Sequence, residues 1–146
     1  DRARVIDKLG RAGITVIALP RTNLYLQDRD SSFPLLRGIA PVKELLEAGV
    51  AVRFASDNVR DAFYPFGDAD LLGVALDGML ATHVDDAVQA VAAICDGRSG
   101  FSVGDSADLV VVPGADVDTV FAERPAQRWI MQAGALARAG LAEPAG

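Results

Sequence analysis

The sequence predicts an α/β fold with a parallel sheet, followed by a small β appendage. Three observations carry this. Two stretches repeat the same pattern of helix, Ala-Gly and buried strand. These are Val5-Ile6-Asp7-Lys8-Leu9-Gly10-Arg11-Ala12-Gly13-Ile14-Thr15-Val16 and Val42-Lys43-Glu44-Leu45-Leu46-Glu47-Ala48-Gly49-Val50-Ala51-Val52, and their last glycines stand 36 positions apart (49 minus 13). A helix placed between two strands returns the chain in the same direction, so the product of such a repeat is parallel pairing. From Gly100 the pattern changes to short apolar runs separated by glycine turns, as expected of strands and hairpins. The expected domains are therefore 1–99 and 100–146.

In order along the chain, Val5, Ile6 and Leu9 give one helical face over Arg2 to Leu9, ended by Gly10 and Gly13. Ile14 to Leu19 is an almost wholly apolar, β-branched run closed by Pro20, which reads as a buried strand. Arg21 to Arg37 reads as a long polar loop, and a connection of that length in a compact domain points to a site. Pro41 stands at the expected first helical position, with Val42, Leu45 and Leu46 as the apolar stripe and Gly49 as the stop. The strand Val50 to Ala55 follows.

Asp57 comes directly after that strand. An apolar run that stops at a carboxylate and passes at once into polar residues delivers the carboxylate to the mouth of an α/β fold, where chemistry gathers. An Asp after a strand also serves as a turn residue or helix cap. The loop Asn58 to Asp68 carries Phe63, Tyr64 and Phe66, which suit either a lid over a pocket or a plug of the core. Helices are expected from Ala69 to Met79 and from Asp85 to Ile94, with His83 between them. Further on come a turn and strand over Val103 to Pro113, a short helix through Val117, Val120 and Phe121, and a strand, Gly turn and strand over Arg128 to Arg138. The tail from Gly140 is expected to fray.

Composition narrows the partners. The 146 residues carry 20 acidic and 14 basic side chains, a formal charge of −6. The basic residues are scattered, which argues against nucleic acid. No apolar run approaches the roughly 20 residues of a membrane span, and no signal peptide opens the chain. Opening at Asp1 without a Met, it is expected to be a piece of something longer. Cys95 is the single cysteine; it excludes an internal disulfide and fits a reducing, cytoplasmic setting. Its helical apolar surroundings predict a buried, inert thiol. His83 is the single histidine, and its place between helices reads as a surface or satisfied side chain, not a ligand.

Four blocks carry a resemblance: Leu19-Pro20-Arg21-Thr22-Asn23-Leu24-Tyr25-Leu26-Gln27-Asp28-Arg29; Arg37-Gly38-Ile39-Ala40-Pro41-Val42-Lys43-Glu44-Leu45-Leu46-Glu47-Ala48-Gly49-Val50; Ser56-Asp57-Asn58-Val59-Arg60-Asp61-Ala62-Phe63-Tyr64-Pro65-Phe66-Gly67; and Gly104-Asp105-Ser106-Ala107-Asp108-Leu109-Val110-Val111 with Gly134. Their order resembles the carboxyl-terminal part of the amidohydrolase superfamily, in the group of cytosine deaminase and N-isopropylammelide isopropylamidohydrolase. The resemblance implies that the two α/β units are the last two of a TIM-type (β/α)8 barrel, and that the hairpin is part of a composite β sandwich. It further implies a divalent metal, iron or zinc, and hydrolysis of a C–N bond on a pyrimidine or triazine ring.

By the same resemblance Asp57 is metal ligand and proton acceptor, Phe63 lines the ring pocket, and Asn58 stands where such deaminases often carry a second acid. Asn23 and Gln27 either line the mouth or fix the loop, and Arg37 and Gly38 are structural. Family members take further metal ligands from histidines on earlier strands, and a catalytic zinc requires about three protein ligands. A chain with one histidine is therefore expected to hold no metal and to be inactive alone. Its expected partners are a heterocyclic small molecule, the missing barrel segment and further copies of itself. The competing expectation is a non-catalytic α/β module that binds a ligand or partner.

Overall fold

A computed structural model describes the backbone of residues 1–139 and the side chains of residues 1–137. The chain forms two compact units, Asp1–Ser99 and a second that begins at Gly100. The tail from Gly140, expected to fray, lies outside the described residues.

The first unit is built from α1 (Arg2–Arg11), β1 (Val16–Ala18), α2 (Pro20–Leu26), α3 (Val42–Glu47), β2 (Val52–Phe54), α4 (Leu71–Thr82) and α5 (Ala87–Ile94). The two strands pair in parallel, Val16 with Val52, Ile17 with Arg53 and Ala18 with Phe54. Each pair is 36 positions apart (52 minus 16), so the sequence repeat is the register of the sheet. The helix ends repeat as well. Ile14 N–H donates to the Leu9 carbonyl at 3.1 Å and Val50 N–H to the Leu45 carbonyl at 2.9 Å. Gly13 and Gly49 take the left-handed conformation, φ 63° and 73°, that such helix ends require.

Strand alternation sorts the side chains. Val52, Phe54 and Ala18 are buried against Ile6, Val42, Leu45, Val74 and Val84, whereas Ile17 on the opposite face is 61% exposed. The face of α4 turned to the core is made of Gly73, Val74, Ala75 and Gly78. Its two glycines let the helix approach closely. A Cβ at Gly78 would sit 2.6 Å from Cε2 of Phe54, and a Cβ at Gly73 would run into the Arg21 guanidinium. Arg53 ties β2 to the end of α5 through Asp96, with Nε 3.2 Å from its carboxylate and a second nitrogen 2.9 Å from its carbonyl oxygen.

The second unit is a three-stranded antiparallel sheet in the order β3 (Leu109–Val111), β4 (Trp129–Gln132), β5 (Ala135–Ala139), with α6 (Val117–Glu123) between the first two strands. The hairpin turns at Ala133 and Gly134, both at positive φ (49° and 78°), the pattern of a two-residue turn that matches strand twist. Asp108 accepts the Ala133 N–H at 2.7 Å. Asp116 caps α6 by accepting the Thr119 N–H at 2.8 Å.

The structure corrects three expectations. Residues 20–26 form a helix, where the sequence reads as loop. Pro20 starts it with a φ already suited to a helix, and buried Thr22 and half-buried Leu24 and Tyr25 anchor it, so its polar residues hid a helix held by tertiary contacts. Pro41 is the residue before α3 and not its first member, with ψ 66° outside the helical range. Cys95 is exposed; α5 ends at Ile94, and the backbone at Cys95 (φ −113°, ψ 35°) leaves the helix and turns the thiol off its buried face.

Candidate functional site

Asp57 lies three residues beyond Phe54, at the carboxyl end of β2, and is exposed. Its backbone is left-handed, φ 58°, a conformation that Asp tolerates better than most residues because its short polar side chain bonds locally. The segment after it folds back on itself. Asn58 Nδ2 donates to Asp61 at 2.5 Å, and the other Asp61 oxygen accepts the backbone N–H groups of Phe63 and Tyr64, both at 2.9 Å. These bonds, that from Asn58 foremost, hold the Asp61 carboxyl below the usual carboxylate range. Gly67 closes the loop, since a Cβ there would collide with the Asn58 carbonyl and would sit 2.8 Å from the Val59 Cα.

The aromatic residues of the loop divide. Phe63 projects outward, 63% exposed. Tyr64 and Phe66 turn to Tyr25 of α2, with ring centroids 5.0 and 5.9 Å from it, and Arg29 lies 4.1 Å over the Tyr25 ring. None of the three plugs the core. A half-open pocket of about 190 Å³ lies between β2 and α5, lined by Val42, Val52, Phe54 and Ala93 and, at its open side, by exposed Ala51 and Gln89, and its lining does not include Asp57.

The helix α2 follows the carboxyl end of β1 and so neighbours the same mouth. Asn23 is half-buried within it. Gln27 ends it, with its side chain against Gly38, where a Cβ would come within 2.9 Å of Oε1. Arg37 donates to the Leu24 carbonyl, so Arg37 and Gly38 fasten the long connection to α2. His83 is exposed and ends α4 at φ 54°.

Sequence reading passed over Arg21. Its side chain is 16% exposed; Nε lies 2.5 Å from Asp77 of α4, and Nη1 2.5 Å from Asp68 at the end of the loop. Burial works against its charge, but the hydrogen bonds and charges of Asp77 and Asp68 more than offset this, and its pKa is raised. No local signal marks it, because its partners lie 47 and 56 positions away.

Among the described residues no three His, Cys, Asp or Glu side chains gather as a metal site, and no helix is long and apolar enough to cross a membrane. As a complete centre these residues do not fit a divalent metal. As one oxygen ligand at a strand mouth, Asp57 does.

Residues 1–132 match the model of the amidohydrolase family. The chain belongs to that family. This amidohydrolase chain is 38% identical over 120 residues to a pterin deaminase of Rhizobium rhizogenes, matching 75% of this chain and 28% of that protein. Its fold is similar to part of 5-methylcytosine deaminase from Klebsiella pneumoniae, solved with 5-fluorocytosine (TM-score 0.81, 24% identity, 99% of this chain and 38% of that one). N-isopropylammelide isopropylaminohydrolase from Burkholderia multivorans is a further structural match (TM-score 0.73, 20% identity, 92% and 34%). The chain thus spans between a quarter and two fifths of the length of these relatives.

Proposed function

We propose that this chain is the carboxyl-terminal part of a metal-dependent, cytoplasmic deaminase that hydrolyses a C–N bond on a pyrimidine, triazine or related ring. Residues 1–99 would be the last two β/α units of its (β/α)8 barrel, and residues 100–146 the appendage of a composite sandwich. The observation that carries the reading is Asp57 at the carboxyl end of a parallel strand, in a chain 38% identical to a pterin deaminase. The sheet supports it too. Two parallel strands with Ile17 bare on one face ask for further strands beside them and cover over that face, which other segments of the barrel, or further copies of the chain, would supply.

In this reading Asp57 provides one ligand to iron or zinc and accepts a proton from the attacking water. When bound, the metal supplies a water acidic enough to ionise near neutral pH. The other ligands come from outside this chain, which alone would bind no metal and turn over nothing. Phe63, exposed at the mouth, presents a ring face on which a flat heterocycle stacks. The amide N–H of Asn58 is taken by Asp61, leaving its carbonyl oxygen for a ring N–H of the substrate. Asn23 borders the mouth from α2.

The test is Asp57→Asn in the complete protein, assayed for ammonia release from cytosine, pterin and ammelide-type rings. A loss of roughly 10²–10⁴-fold in kcat with an unchanged circular dichroism spectrum is expected for a proton-transfer group. Undiminished turnover would overturn the assignment.

A further inference from the structure

Both ends of the loop that carries Asp57, Asn58 and Phe63 are fastened to α2, and the fastenings follow one helical face. At the entry, the hydroxyl of buried Thr22 donates to the Ser56 carbonyl, at the long distance of 3.5 Å, one residue before Asp57. At the exit, Arg21 binds Asp68. In the middle, Tyr25, four residues beyond Arg21 and so on its side of the helix, packs on Tyr64 and Phe66. Arg21 is in turn held from behind by Asp77 and rests where α4 has only Gly73. The same Asp68 oxygen accepts the Asp70 N–H at 2.9 Å, and Asp70 caps α4 by accepting the Leu72 N–H at 3.2 Å. One guanidinium thus joins α2, the loop exit and the start of α4.

We propose that α2 sets the position of the Asp57 loop and that Arg21 is the positioning residue of this arrangement, acting on the reaction through the loop without touching substrate. The inference rests on the deaminase reading for its catalytic consequence alone; the mechanical part stands on the contacts themselves. A planar fork with two carboxylates on different elements fixes direction as well as distance, which a lysine ammonium does less well.

The experiment compares wild type, Arg21→Met, Arg21→Lys and Asp68→Asn in the complete protein. Amide hydrogen exchange is read at Phe63, Tyr64 and Asp70, whose N–H groups are bonded in the loop and at its exit, and, as controls, at Val16 and Ala55, whose N–H groups are bonded between the two strands. In Arg21→Met, exchange at the three loop sites is expected to rise about tenfold with the strand sites unmoved. Turnover should fall about tenfold in kcat with little change in KM, and Arg21→Lys should restore part of both. Asp68→Asn keeps the Asp77 anchor and serves if Arg21→Met does not fold; it should loosen the same three amides. Unchanged loop exchange in both Arg21→Met and Asp68→Asn overturns the proposal. So does faster exchange with kcat intact. Faster loop exchange in a protein whose wild type deaminates nothing leaves the mechanical role standing and overturns the deaminase reading instead.

Discussion

Gly78→Ala tests the close crossing of α4 over β2. The added Cβ would lie 2.6, 2.8 and 2.9 Å from Cε2, Cζ and Cδ2 of Phe54. Carbon atoms in contact prefer about 3.5–4.0 Å, so either the ring or the helix has to yield by roughly half an ångström or more. The ring belongs to the core and is 5% exposed, which leaves it little room. Overpacking of this kind costs about 1–3 kcal/mol. Alanine in a helix interior returns about 1 kcal/mol relative to glycine. The net expectation is a loss of about 1 kcal/mol, and for a unit the size of Asp1–Ser99 that lowers Tm by about 4–8 °C. Differential scanning calorimetry on Gly78→Ala, Phe54→Leu and the double variant separates the two terms. With the ring gone, the alanine should stabilise. A higher Tm for Gly78→Ala in the wild-type background, or the same shift in both backgrounds, would refute the account of why glycine stands there.

Other expectations follow from the same geometry. Gly13→Ala and Gly49→Ala both force a Cβ into left-handed backbone with open space around it, so each should cost about 1–2 kcal/mol, and the two costs should agree because the helix ends are equivalent; denaturant titration giving very different values would deny the equivalence. The Asp61 carboxyl is depressed by Asn58, Tyr64 and Phe63, so it binds a proton less readily in the folded loop than in an open chain. Its support of the loop is therefore present above the ordinary carboxylate pKa and lost as pH falls through the depressed value, which puts opening below about pH 4. Amide shifts of Phe63 and Tyr64 that titrate at or above the ordinary carboxylate pKa would contradict this. Asp61→Asn should loosen the same amides at neutral pH. Gly67→Ala, which meets backbone and not a movable side chain, should unfasten the loop while leaving Tm within a few degrees, seen as faster exchange at Phe63 and Tyr64.

What the sequence made legible was whatever is local or periodic. The 36-residue repeat passed directly into strand register, because helix stripe, glycine stop and apolar run are each decided within a dozen residues. Asp57 was legible as the polar stop of a buried run. The helix α2 was not, since Arg21, Asn23 and Gln27 made it look like loop and its hold depends on Asp68, Asp77 and Tyr64 far along the chain. The aromatic loop was ambiguous for the same reason: nothing near Tyr64 or Phe66 announces Tyr25. Cys95 misled by periodicity, which carries on in sequence for one residue after the helix has ended.

The left-handed backbone at Asp57 narrows what evolution can put there. Glutamate keeps the charge but brings a longer arm and a weaker tolerance for that twist, so the swap ordinarily counted as mild would move the carboxylate and strain the turn together. Asparagine shares the shape and the tolerance of aspartate and lacks only the ionised oxygen. At this position the gentle replacement by charge is the disruptive one by geometry, and an allele carrying glutamate should be rarer among working copies than one would guess from chemistry alone.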